Sequence, residues 1–188
     1  MPDPASTVTA LQDFIAPLTS RCQEIYEWPA ARFEVDTYLH AQLPPEPFIT
    51  SVRAVVLRQT PAREVLLVQD PDGHHIMPGG RREAGETLHA TVIREVLEET
   101  GWQVTLGPLL GFKYFNRLTP KPPEISYPHP CFVQLVYVAE AESYHPSQRE
   151  QDGYELGATF VALDTLRRYQ LTAGEELFLQ AALQQRGQ

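Results

Sequence analysis

Between Gly79 and Trp102 the chain places two adjacent glycines ahead of a short helical stretch that carries three glutamates, and no other segment restricts the fold as much. Thr87 to Thr100 reads as a helix closed by Gly101. At about 100° per residue, with Glu95 as origin, Glu98 lies near −60° and Glu99 near +40°. Val92, Ile93, Val96 and Leu97 form a neighbouring apolar face that can be buried. The carboxylate face is costly by itself. Each like-charge pair at three or four residues' separation destabilises an isolated helix by about 0.2–0.5 kcal/mol, and negative charge at the C-terminal end opposes the helix dipole. A divalent cation reverses both effects, and Mg²⁺ in particular takes hard oxygen ligands and shares its sites with phosphates. The glycine pair lets the backbone come close enough for a main-chain carbonyl to add an oxygen ligand. Arg94 stands beside the acidic face, placed to orient a carboxylate or offset its charge.

Composition narrows the ligand. The 188 residues carry 15 Lys+Arg against 24 Asp+Glu, a net charge of −9. An acidic balance argues against a nucleic-acid polymer held by its phosphates, but it leaves room for a small phosphorylated molecule bound through cations. No apolar run approaches the roughly 20 residues that span a bilayer, and no signal-peptide pattern opens the chain. Cys22 and Cys131 are the only cysteines, which excludes a disulfide framework and a thiolate zinc cluster and leads us to expect a reducing, cytoplasmic setting.

Residues 1–47 differ in texture from the rest. Leu11, Phe14, Ile15, Leu18, Cys22 and Ile25 recur at helical spacing, so this stretch is expected to form two or three short helices ending at Pro44-Pro45-Glu46-Pro47. Such helices could pack on the main domain, form a homodimer contact or cover a substrate, and the sequence does not choose between these roles. From residue 48 the pattern turns β-rich, with strand-like runs at 52–57, 65–68, 104–115, 131–139 and 158–163, and a closing helix over about 172–185. That helix is expected to bury Leu177, Phe178 and Ala181. A proline-heavy segment from Leu118 to Pro130 is too punctuated for a simple hairpin turn, and segments of this kind are often functional.

The glycine–glutamate stretch fits the pattern Gly-x5-Glu-x7-Arg-Glu-U-x-Glu-Glu-x-Gly-U, where U is a bulky apolar residue. Gly80, Glu86, Arg94, Glu95, Val96, Glu98, Glu99, Gly101 and Trp102 occupy the defined positions. In this the protein resembles a Nudix hydrolase of the MutT-like kind. One departure is His75, three residues before Pro78, where many members carry Trp. The resemblance implies an α/β fold, the α/β/α sandwich around a mixed sheet, here with the N-terminal helical extension (1–47) attached to a Nudix domain (48–188). It also implies Mg²⁺- or Mn²⁺-dependent cleavage of the pyrophosphate in a nucleoside diphosphate linked to another moiety, such as a nucleotide sugar, an ADP-ribose-like compound or a (d)NTP.

Carried over by position, Glu95, Glu98 and Glu99 become metal-binding carboxylates, the Gly79 carbonyl a further ligand and Arg94 the residue that orients them. Glu86 becomes a structural carboxylate, and Glu95 or Glu98 the general base. A later carboxylate often completes such a site. Glu155 is the first candidate, since an aromatic strand residue, Phe160, follows five positions on; Glu150 is the second. Substrate contacts are expected from Arg53, Arg81, Lys113, Arg117, Tyr114 and Tyr127, the last four with Lys121 and His129 around the prolyl segment. No subgroup mark identifies the substrate. The competing reading is a Nudix-fold module that binds a nucleotide without turnover, although such modules usually lose glutamates that this chain retains.

Overall fold

A computed structural model describes residues 4–60, 63–121, 128–151 and 153–185. Helix α1 (Pro4–Ile15) is followed by strands β1 (Cys22–Trp28), β2 (Ala31–Tyr38), β3 (Ile49–Arg58), β4 (Glu64–Asp70), β5 (Gly73–His75) and β6 (Gly79–Arg81). Helix α2 (Leu88–Thr100), strands β7 (Trp102–Arg117), β8 (Cys131–Tyr144) and β9 (Gly157–Ala162), and helix α3 (Ala173–Gln185) complete the order.

One mixed sheet runs β1-β2-β7-β8-β3-β4-β5, with β6 paired to β3 and β9 to β4. Only the β3–β8 pair is parallel among these pairings. It lies at the centre, where strands buried on both sides read as continuous apolar runs. Val52, Ala54, Val55 and Val56 of β3 are fully buried. Even-numbered β3 residues Val52, Ala54 and Val56 pack with Val92 and Val96 of α2 and Leu11 of α1. Val55 and Leu57 belong to the other core, with Phe178 and Ala182 of α3. The sheet is thus covered by helices on both sides, in agreement with the expected sandwich. In α3, Ala182 is fully buried with Phe178, while Leu177 and Ala181 lie nearer the rim.

The N-terminal segment departs from the expected set of helices. Among the described residues of this stretch α1 is the single α-helix; Cys22 and Ile25 lie in β1, and β1 and β2 form an antiparallel hairpin. The physical reason is a period of two that outweighs the apparent helical spacing: Phe33, Val35 and Thr37 alternate inward and are all but fully buried, while Pro29 occupies the turn. The hairpin extends the main sheet, since β2 pairs with β7 from Phe33↔Arg117 to Tyr38↔Phe112. No helix among the described residues is long and apolar enough to cross a membrane.

Candidate active site

The site begins at β3. Antiparallel pairing of β6 sets Gly79 opposite Arg53 and Gly80 opposite Val52. Gly79 has φ +135°, and a Cβ there would lie 2.3 Å from the Val52 carbonyl oxygen. Only glycine fits that approach. A Cβ on Gly80 would meet a Glu95 carboxylate oxygen at 2.3 Å, so the bare Cα is what admits Glu95 against the strand.

Helix α2 is capped at both ends. Thr87 Oγ1 accepts the Ala90 N–H, and Gly101, in the left-handed region at φ 76°, donates its N–H to the Leu97 carbonyl. Burial of Val92 and Val96 then fixes the rotation of the helix and turns its glutamates toward the glycine loop. Glu99 Oε2 accepts the Gly79 N–H at 2.8 Å. Burial pushes the Glu99 carboxyl up to about 8, with the charge of Arg53 and the Gly79 hydrogen bond opposing and the charges of Glu155 and Glu95 reinforcing the rise. Glu95 is also raised, chiefly by burial and against the pull of Arg94.

Arg94 organises the outer carboxylates. Its Nε and Nη2 donate to the two oxygens of Glu86 at 2.7 and 3.0 Å, its Nη1 donates to Glu98 at 2.7 Å, and Nη2 lies 3.0 Å from Glu95. Hydrogen bonds from Arg94, then from the Glu83 N–H, hold the Glu86 carboxyl down at about 2. Glu86 is therefore an anionic anchor for the guanidinium, consistent with the structural role expected for it. The segment after β8 closes over the C-terminal end of α2: Arg149 Nε donates to the Glu99 carbonyl at 3.2 Å and Nη2 to the Glu155 carbonyl at 2.6 Å, while the Glu150 N–H donates to the Glu98 carbonyl at 2.8 Å. This brace, centred on Arg149, was not foreseen from the sequence.

A cleft of about 530 Å³ opens from this acidic end, where Arg53, Gly80, Arg81 and Glu99 line it. Arg53 is held in place by donating from Nη1 to the Met77 carbonyl at 2.9 Å. The opposite end is built by the hairpin turn from Trp28 to Phe33, together with Phe132, Arg117 and Lys121. Arg117 lines the cleft, but its guanidinium serves as a strut, donating to the Ala30 carbonyl at 2.9 Å and to Thr119 Oγ1 at 3.1 Å. Two expected substrate contacts are corrected. Lys113 is buried, with its ammonium 2.5 Å from the Tyr26 hydroxyl and its stem beneath Gly174 at the start of α3. Tyr114 faces the α1/α2 core beside Cys131, and burial raises its phenol. Tyr127 lies outside the described residues. The hairpin turn itself was missed, and its signal was the Trp28-Pro29 pair followed by alternating Phe33 and Val35.

The donor set at the acidic end consists of carboxylate and backbone oxygens, which suits a hard divalent ion. Among the described residues no three His, Cys, Asp or Glu side chains already stand grouped for a metal, as Glu98 is turned onto Arg94. Two raised, mutually repelling carboxyls beside one that a rotation would free are nevertheless the electrostatic setting that a cation relieves.

Residues 47–182 match the NUDIX domain, and the chain belongs to that family. Among solved structures, a mutant of the Bacillus subtilis pyrophosphohydrolase BsRppH is similar over 87% of this chain and 98% of its own, with a TM-score of 0.60 and 19% identity. The NUDIX domain of Shewanella oneidensis NrtR, complexed with ADP ribose, is similar over 78% and 95%, with a TM-score of 0.53 and 18% identity. These likenesses concern the fold. The Caenorhabditis elegans protein named "Putative nudix hydrolase 1" is 45% identical over 65 residues, 32% of this chain, and that match spans only 18% of the relative's length.

Proposed function

We propose that this protein is a Mg²⁺- or Mn²⁺-dependent hydrolase that cleaves the pyrophosphate of a nucleoside diphosphate linked to another moiety. The observation that carries the reading is the seating of Glu95 and Glu99 against Gly80 and Gly79 at one end of a cleft that Arg53 and Arg81 also line. Complete retention of the defined glutamates supports turnover over binding alone.

Glu95, Glu98 and Glu99, with the Gly79 carbonyl and Glu155, would hold the metal. When bound, it supplies charge neutralisation for the diphosphate and a lowered pKa for water. The protein's own share is mostly positioning and charge, since phosphoryl transfer asks for little covalent chemistry. Arg53 and Arg81 draw the diphosphate into the acidic end. Arg94 keeps the carboxylates oriented from behind. Glu95 or Glu98 takes the proton of the attacking water as the new P–O bond forms, and the bridging P–O bond breaks to give two phosphorylated products.

Hydrolysis of ADP-ribose, nucleotide sugars, dinucleoside polyphosphates and (d)NTPs with either metal tests the reading. At least one class should be cleaved, and Glu98→Gln and Glu99→Gln should each lose orders of magnitude in turnover while remaining folded. Wild-type rates in both variants would overturn the assignment.

A further inference from the structure

The end of the cleft away from the glutamates is aromatic, and Trp28 and Phe33 come to it from a segment that precedes the matched family region at residues 47–182. Trp28 is 49% exposed, although a large apolar ring is ordinarily covered. It packs at 4.7 Å against Phe33, which in turn meets Phe132 edge-on at 5.5 Å. Behind them Phe115 and Phe132 stack at 4.7 Å with an 8° interplanar angle. The indole is therefore backed by a fixed aromatic layer while nearly half of its surface meets solvent. The Arg117 strut to the Ala30 carbonyl pins the turn that carries it.

Polar groups line the same cleft. Gln134 Nε2 donates to Ser51 Oγ at 3.2 Å, which orients the amide. Its second N–H and its carbonyl oxygen have no side-chain partner among the described residues. An aromatic plane together with an oriented amide matches a flat heterocycle with hydrogen-bonding edges. Inorganic diphosphate, with neither a ring nor an apolar face, would use neither.

Building on the pyrophosphohydrolase reading above, we infer that the hairpin turn is the base-recognition wall of the cleft. Trp28 stacks on the nucleobase of the nucleoside diphosphate, Gln134 reads the edge of the base, and the diphosphate extends toward Glu95 and Glu99. Stacking on an aromatic side chain tolerates different bases, because every base offers a π-face. Discrimination among bases therefore falls to Gln134.

The chain has two tryptophans, and Trp102 packs elsewhere, at 5.0 Å from Phe160. A Trp102→Phe variant leaves Trp28 as the sole indole reporter. Titration with α,β-methylene ADP or UDP, which resist hydrolysis, should quench its emission saturably, whereas the base-free control methylenediphosphonate should leave the emission unchanged. In assays, Trp28→Leu should raise KM for the cleaved nucleotide about 5- to 100-fold with kcat little changed and with unaltered methylenediphosphonate affinity. Gln134→Ala should raise KM unequally among bases, and it supplies the same measurement if Trp28→Leu does not fold. Calorimetric binding of the nucleotide analogues without a change in Trp28 emission would overturn the inference and leave pyrophosphate hydrolysis standing. Absence of binding by any analogue, together with absence of hydrolysis, would overturn both.

Discussion

Glu175 Oε1 accepts the backbone N–H of Ile76 at 3.1 Å, joining two residues 99 positions apart. The other oxygen of the same carboxylate accepts the Thr172 N–H at 2.9 Å, and Thr172 Oγ1 accepts the Glu175 N–H at 3.3 Å, a reciprocal cap on α3. A single buried glutamate thus closes the helix start and holds the segment between β5 and β6 that enters the glycine loop. Glu175→Ala strands two donors and should cost about 1–3 kcal/mol, read by urea denaturation. Glu175→Gln keeps an acceptor oxygen and should lose less.

Gly79 and Gly80 should respond differently to the same methyl group. At Gly79 a Cβ collides with backbone at a positive φ, so Gly79→Ala should lower stability by at least about 2 kcal/mol. At Gly80 it collides with the movable end of Glu95, so Gly80→Ala should unfold near the wild-type temperature while displacing the carboxylate. Its turnover should fall tenfold or more (about 1.4 kcal/mol of barrier). Paired thermal melts and kcat measurements separate the two outcomes.

Replacing Arg94 by Lys keeps the charge but removes the fork that grips both oxygens of Glu86 while reaching Glu98. Mn²⁺ affinity should weaken about 10–100-fold, as for other residues that orient metal ligands, and Mn²⁺ titration followed by electron paramagnetic resonance checks it.

Metal uptake should release a proton below about pH 8, because the metal-free Glu99 carboxyl is pushed up to about 8 by burial. Affinity should rise with pH until that value is passed. Calorimetry in buffers of different ionisation enthalpy should reveal the proton, and Glu99→Gln should abolish it. The stability of the metal-free protein runs the other way. Between the ordinary carboxyl range and about 8 the folded state holds a proton that the unfolded chain has lost, so this group's contribution declines as pH rises through that window.

The glutamate helix was legible in the sequence because its information is local: spacing sets the shared face, and Thr87 and Gly101 set the ends. The central strands were legible because burial on both sides leaves an unbroken apolar run, as in Ala54 to Leu57. The hairpin was not, since α1's apolar spacing runs on by coincidence through Leu18 and Cys22 to Ile25, which proves to be 47% exposed. Lys113 shows a different limit. Alternation puts it on the same side of β7 as Arg117, as both are odd-numbered, but four residues separate them, about 13 Å of strand. That distance carries Lys113 under α3, and nothing near it in sequence announces the cover.

Glu24 of β1 accepts the backbone N–H groups of Ala173 and Gly174 at 3.1 and 3.2 Å, so the hairpin terminates the first turn of α3. Fraying of that helix would strip partners from β1 and loosen the strand that leads directly into Trp28. Amide protons of β1 and α3 should accordingly exchange with solvent as one cooperative group, slower than the outer turns and distinct from α2. An early hairpin and a late helix would then breathe together, making the grip on a ligand sensitive to events on the far side of the sheet from the glutamate helix.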